Sequence, residues 1–135
     1  YALNEAVDML LEEGLENVFK RHKRHADATR IAVETWGLEI LAKNPIERSD
    51  SITAIMTPEG HDSDHLRKII YDNYNMSLGT GLNKVKGKVF RIGHLGDLND
   101  LTLAGTVSGV EMGLKQSGIP FKKGGIMAAL DFLSK

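Results

Sequence analysis

The chain has 135 residues, of which 41% are hydrophobic and 26% charged, and its formal net charge is -1 at pH 7, values typical of one globular domain with no strong attraction to polyanions. Because cysteine is absent, disulfides, thiolate metal sites and cysteine nucleophiles are excluded. No apolar run approaches the ~20 residues that span a bilayer, so we expect a cytoplasmic protein that binds neither membrane nor nucleic acid.

Two amphipathic helices are predicted at the beginning of the chain. Apolar residues recur every three or four positions over residues 3–11, and Gly14 interrupts the pattern. A second helix is predicted over residues 15–35, with a stop at Gly37. The first helical pattern has no capping segment before it, so we expect the chain to be part of a longer protein.

Short strands are predicted in the middle of the chain. LEILAKN predicts a first strand, and SITAIMTP predicts a second, which alternates two sets of side chains until Pro58. A helix then begins at Asp62 or Ser63. MSLGTG predicts a short edge strand after this helix, and GKVFRIG predicts the next strand.

Two further helices are predicted at the end of the chain. Asn99 is placed to cap a helix over residues 100–116, and a last helix covers residues 126–133. Gly105, Gly109 and Gly113 recur within the long helix, which predicts a stripe where another backbone, most simply that of the sheet, approaches closely. Together the elements predict an α+β fold, in which helices cover one face of a small, mainly antiparallel sheet.

Arg91 is a charged residue within an otherwise apolar strand. Side chains alternate along a strand, so Phe90 and Ile92 share one face while Val89 and Arg91 share the other. If the larger pair faces the helices, Arg91 points away from the core, where its planar fork can bind a carboxylate or a phosphate. A cross-strand ion pair or simple exposure is the alternative, and the local sequence does not decide between them.

Three other motifs have simpler interpretations. His61 and His65 lie four residues apart without an evident further ligand, so capping and loop roles are preferred to metal binding. The basic block over residues 20–25 lacks interleaved aromatic residues and is interpreted as a solvated helix face. GTGLNKVKGK does not have the spacing of a phosphate loop, and its lysines are expected in solvent.

Three long segments carry a resemblance that extends over nearly the whole chain. They are LEEGLENVFKRHKRHADATRIAVETWGLEI, then ITAIMTPEGHD, then NMSLGTGLNKVKGKVFRIGHLGDLN with VSGVEMGLK after it. In this order they resemble the C-terminal domain of the class V pyridoxal-phosphate aminotransferases, most closely the serine-glyoxylate and alanine-glyoxylate members.

The resemblance implies a fold-type I homodimer. Pyridoxal 5'-phosphate would be held by a lysine of a large domain, and the partner subunit would complete the site. In this family the arginine of the Arg-Ile-Gly segment binds the α-carboxylate of the substrate, so that role falls on Arg91. We therefore expect residues 1–135 to be the small domain of a longer aminotransferase, with linking helices over 1–36 and an α+β sandwich over 37–135. The large-domain lysine motif is missing, so no catalytic, cofactor-binding or metal-binding residue is assigned.

The implied reaction moves an amino group from serine or alanine to glyoxylate or a related 2-oxo acid. The substrate Cα–H bond must stand perpendicular to the cofactor ring, which acts as the electron sink. One arginine can orient both substrates, because amino donor and acceptor share a carboxylate. The isolated chain is expected to be inactive. The alternative is a freestanding α+β module that binds a small anion or dimerises.

Overall fold

A computed structural model describes residues 1–135 as five α-helices and a four-stranded sheet. The helices are α1 (Ala2–Glu13), α2 (Leu15–Trp36), α3 (Ser63–Tyr74), α4 (Asp100–Gln116) and α5 (Gly125–Leu133). The strands are β1 (Glu39–Ile40), β2 (Ile52–Met56), β3 (Gly79–Thr80) and β4 (Val89–Gly93). Their order is β1-β2-β4-β3, and every neighbouring pair is antiparallel. The predicted fold class is confirmed.

The helix ends follow signals in the sequence. Gly14 separates α1 from α2 and has a φ of 82°. Gly37 ends α2 in the left-handed region with a φ of 75°, where a side chain would be strained. Asn99 begins α4 with a capping box, because its side chain accepts from the Thr102 amide and the Thr102 hydroxyl accepts from the Asn99 amide. These local devices fix where each helix starts and stops.

The hydrophobic core lies between the helices and the inner face of the sheet. Ile55, Phe90 and Ile92 supply the sheet side of this core and are fully buried. Burying one large aliphatic or aromatic side chain contributes about 1.5–3 kcal/mol. The helical side of the core comes from all helices except α1, with these members: Ala28, Ala32, Val33, Trp36, Leu66, Ile70, Leu103, Val107, Val110, Leu114, Ala129 and Leu133. Helix α2 is therefore one wall of the core. The division of the single domain into linking helices over 1–36 and a sandwich over 37–135 stays a prediction.

The α4 glycines do not face the sheet, so that prediction is wrong. A methyl group at Gly113 would overlap Ile70 of α3, and one at Gly109 would lie 2.7 Å from Met76 Cε. A methyl group at Gly105 would meet nothing within 4 Å. Gly109 and Gly113 therefore let α4 approach α3 and the turn after it through side-chain contacts, whereas Gly105 takes no part in this approach.

The basic block is not a wholly solvated helix face, which corrects a second prediction. Arg21 binds both carboxylate oxygens of Glu13 at 2.7 and 2.6 Å and donates to the carbonyl of Gly96 at 2.6 Å. Arg24 pairs with Asp100 at 2.5 Å, and His25 is buried against the same carboxylate. The block joins α2 to α1, to the loop after β4 and to the start of α4.

None of the helices has the length and apolar composition of a membrane span.

Candidate functional site

Arg91 lies in the middle of β4, on the outer face of the sheet. Its cross-strand neighbours are Ala54 of β2 and Gly79 of β3. Phe90 and Ile92 are fully buried on the inner face, whereas Arg91 is half-buried, so the predicted alternation is confirmed for these three residues. Val89 differs from expectation: it shares the outer face but is fully buried.

The backbone of Val89 is contacted by the segment between β3 and β4 and by the start of α3. The Gly81 amide donates to the Val89 carbonyl at 2.8 Å, and the Ser63 hydroxyl donates to the same oxygen at 3.0 Å. A methyl group at Gly81 would overlap the Val85 carbonyl, so this position needs glycine. The outer face of β4 is thus closed at Val89 and open at Arg91.

The Arg91 guanidinium has no partner within the chain. The other five arginines each form an ion pair: Arg21, Arg24, Arg30, Arg48 and Arg67. Arg91 forms neither an ion pair nor a hydrogen bond, and its Nε is enclosed without an acceptor. A half-buried guanidinium that lacks a partner is costly. The cross-strand ion pair that the sequence left open is therefore not formed, and the terminal nitrogens are left for an anion from outside the domain.

Sequence reasoning found Arg91 but missed the small residues on either side of it. Ala54 and Gly79 are distant from Arg91 in the sequence, and only the strand register places them beside it. The signal was a glycine in a predicted edge strand, which often marks a close approach. With these neighbours the Arg91 side chain can lie across the sheet instead of standing on it.

His94 anchors the end of β4 immediately after Arg91's strand. Its Nδ1 lies 3.0 Å from the Asp50 carbonyl, which only accepts, so Nδ1 carries the proton. Nε2 then accepts from the Thr53 hydroxyl at 2.9 Å. Burial lowers the pKa of His94 from 6.5 to about 4, so the ring is neutral at pH 7. The neutral ring fastens the end of β4 to the start of β2.

The burial of neutral His94 predicts a pH-dependent stability. Between pH 6.5 and about 4 the unfolded chain binds a proton at this ring that the folded chain does not. The free energy of unfolding should therefore fall by up to about 1.4 kcal/mol per pH unit as the pH drops through this window. Urea unfolding of the 135-residue chain at several pH values measures the slope.

A His94→Gln variant is the control, because it keeps a donor and an acceptor but does not titrate. The folded chain also lowers the pKa of four carboxyl groups, those of Glu13, Asp64, Asp100 and Glu111. Their ordinary pKa values are 3.8 or 4.5, so they change the pH dependence of unfolding only near and below those pH values. An equal slope in variant and wild type between pH 6.5 and 5 would contradict the assignment to His94.

The remaining motifs do not form a site. His65 lies on α3 and His61 in the loop before it, and no three metal-ligating side chains gather anywhere in residues 1–135. Lys84, Lys86 and Lys88 are exposed around the short turn before β4, as predicted.

Comparison with known proteins identifies the family. No protein-family model matches the chain. A curated relative, the serine-glyoxylate aminotransferase of Methylorubrum extorquens, is 51% identical over 134 residues, a match that covers 98% of this chain and 33% of the relative. The chain belongs to the class V aminotransferases. The chain spans about a third of the length of its curated relatives and corresponds to their C-terminal part.

Solved structures give the same answer. Ureidoglycine-glyoxylate aminotransferase from Bacillus subtilis matches with a TM-score of 0.93 and 27% identity, over 100% of this chain and 35% of that one. Pyridoxamine-pyruvate aminotransferase from Mesorhizobium loti matches with a TM-score of 0.90 and 31% identity, over 98% of this chain and 34% of that one. The chain therefore has the fold of the C-terminal domain in this family.

The family depends on pyridoxal phosphate, but the residues of this chain do not fit that cofactor. A lysine that bonds a cofactor covalently is activated by desolvation or by a neighbouring cation. Every lysine here is exposed. The glycine-rich turn is also closed on itself, because the Gly81 amide is already bound to the Val89 carbonyl. What the chain offers instead is the Arg91 guanidinium.

Proposed function

We propose that the chain is the small domain of a longer aminotransferase, and that Arg91 binds the carboxylate of its substrates. The longer protein would move an amino group from serine or alanine to glyoxylate or a related 2-oxo acid. The observation that carries the proposal is that Arg91 alone among the arginines lacks an intrachain partner while being half-buried on the sheet. A carboxylate is the partner that such a fork fits best.

The names of the relatives support a carboxylate as the shared recognition element. Their acceptors are glyoxylate or pyruvate, both of which are 2-oxo acids, whereas their donors are serine, ureidoglycine or pyridoxamine. The acceptor carboxylate is thus common to all three reactions, although the donor changes. An arginine that binds this group serves every member, and the choice of donor falls to other residues.

Arg91 would act by orientation. Its Nε is enclosed against the sheet, so the two terminal nitrogens are the edge that meets the two carboxylate oxygens. Two parallel hydrogen bonds fix both the position and the rotation of the substrate. Holding a substrate in its reactive geometry removes part of the entropic barrier, and effective molarities of about 10⁵–10⁸ M show how large this effect becomes.

The exposed apolar face of α1 is proposed to pack against the rest of the longer protein. No residue of α1 is buried, although its pattern is amphipathic. Leu3 is 79% exposed, and Phe19 at the start of α2 is 59% exposed. Large exposed apolar side chains on an amphipathic helix are typical of an interface. We assign the cofactor and the lysine that holds it to the parts of the protein outside this domain, and we expect the longer protein to be a homodimer.

This division of labour predicts that the longer protein is active and the isolated chain is not. The longer protein should transfer the amino group of serine or alanine to glyoxylate. When the 135-residue chain is mixed with pyridoxal phosphate and reduced with borohydride, any label should be spread over the exposed lysines, and no single lysine should be labelled stoichiometrically. Mass spectrometry of the reduced chain provides the measurement. Stoichiometric labelling of one lysine, or transamination by the chain alone, would overturn the assignment.

A further inference from the structure

The Arg91 side chain lies against the backbone of Gly79. A methyl group at Gly79 would be 3.0 Å from both Cβ and Nε of Arg91 and 3.5 Å from Cζ. The first two distances are tighter than ordinary van der Waals contact between carbon and its neighbours. Any side chain at residue 79 would therefore push the guanidinium away from its present place.

The conformation of Gly79 does not itself require glycine. Seven glycines of the chain have positive φ, where other residues are strained: Gly14, Gly37, Gly60, Gly87, Gly96, Gly118 and Gly124. Gly79 is not among them, and it pairs with Arg91 in ordinary antiparallel register. Glycine also weakens a strand interior. The contact with Arg91 is thus the feature of the structure that explains why this position lacks a side chain.

Helix α3 holds the short edge strand that contains Gly79. The Arg67 Nε donates to the Leu78 carbonyl at 2.8 Å, directly before Gly79. The Thr80 hydroxyl donates to Asp64 at 3.0 Å, directly after it, and Arg67 Nη1 binds the same carboxylate oxygen at 2.8 Å. The Thr80 hydrogen bond, helped by Arg67, lowers the pKa of Asp64, so this acceptor is ionised at pH 7. A strand of only two residues is thereby fixed on both sides of Gly79.

We propose that Gly79 is a positioning residue, which sets the tilt of the Arg91 guanidinium and so aims its terminal nitrogens at the substrate carboxylate. Asp64 and Thr80 act in the same way through Gly79, by holding β3 in place. None of the three touches substrate in this proposal. The inference rests on the proposed role of Arg91 and adds to it the residues that determine the direction of the fork.

Gly79→Ala in the longer protein is the first test. The methyl group would displace Cβ and Nε of Arg91 by a few tenths of an ångström. Because a displacement of about 1 Å at an orienting group costs on the order of 10²-fold in rate, kcat/KM for serine and glyoxylate should fall by about tenfold, with a loss in kcat as well as in KM. Gly105→Ala is the matched control, because a methyl group there meets nothing within 4 Å. The control should stay within about twofold of wild type.

The double variant Gly79→Ala/Arg91→Ala separates positioning from general destabilisation. If Gly79 acts through Arg91, the added Gly79→Ala change should have less than about a twofold effect once the guanidinium is gone. A further loss of about tenfold in the Arg91→Ala background would contradict the proposal. If Arg91→Ala itself changes nothing, the proposed function fails; if Arg91→Ala is damaging but Gly79→Ala matches Gly105→Ala, only this inference fails.

Thr80 provides a second test that leaves residue 79 unchanged and so applies even if Gly79→Ala does not fold. Thr80→Val removes the hydroxyl that binds Asp64, and Thr80→Ser keeps it. We expect KM for serine and glyoxylate to rise several-fold in Thr80→Val and to return towards wild type in Thr80→Ser. Equal KM values in the two variants would overturn the role of this contact.

Discussion

Replacing Arg91 by alanine in the longer protein should lower kcat/KM by about two to four orders of magnitude for every carboxylate substrate, because a charge-assisted bidentate contact is lost. Arg91→Lys keeps the charge but loses the fork, so it should recover only part of that loss. Steady-state kinetics with serine and glyoxylate measure both changes.

Thermal unfolding of the same variants provides the control. Arg91 makes no hydrogen bond or ion pair within the chain, so its removal should not lower the Tm of the domain. A lower Tm with unchanged kinetics is the result that would identify Arg91 as a structural residue instead.

Gly113→Ala should destabilise the domain by about 1–3 kcal/mol, because the added methyl group overpacks the α3–α4 contact. The methyl carbon would overlap Ile70 Cγ1 and approach Leu66 Cδ1 to 3.3 Å. Ile70 is β-branched and fully buried, so it has little freedom to move. Urea unfolding of the 135-residue chain measures the change.

Gly105→Ala on the same helix should have the opposite sign. Gly105 faces open space, so alanine at this position should stabilise α4 by up to about 1 kcal/mol through helix propensity alone. Equal stabilities of the two variants would contradict the packing that the structure assigns to Gly113.

The helices were predictable because their signals are local. Gly14, Gly37 and Asn99 act within one turn of the helix ends that they set, and the structure places those ends where the sequence does. The outward direction of Arg91 followed from strand alternation in the same way. Alternation depends only on neighbouring residues in the strand, so it can be predicted without the tertiary structure.

Features that depend on distant pairs were not predictable. The ion pairs of Arg21 and Arg24 join residues that only the packing of α1, α2 and α4 brings together. Glu111 accepts from Trp36 Nε1 at 2.8 Å and from the amides of Gly124 and Ile126 at 3.0 Å each, which ties α5 to α2. Nothing in the local sequence marks these groups as partners.

The candidate site shows the same division. Arg91 was found from its own strand and from the family resemblance, whereas Gly79 needed the register of β3 against β4. The prediction that the α4 glycines face the sheet was wrong for a related reason. Their spacing predicts a close approach, but it does not indicate which element approaches. Helix α3, and not the sheet, occupies that face.

The most direct test of the central claim removes the carboxylate from the substrate instead of the arginine from the protein. Wild-type longer protein and its Arg91→Ala variant are compared with serine and with serinol, which has a hydroxymethyl group in place of the carboxylate. If Arg91 binds this group, wild type should prefer serine by about 10²–10⁴-fold in kcat/KM, and the variant should lose nearly all of that preference. An Arg91→Ala variant that still prefers serine by the wild-type factor would show that another residue binds the carboxylate.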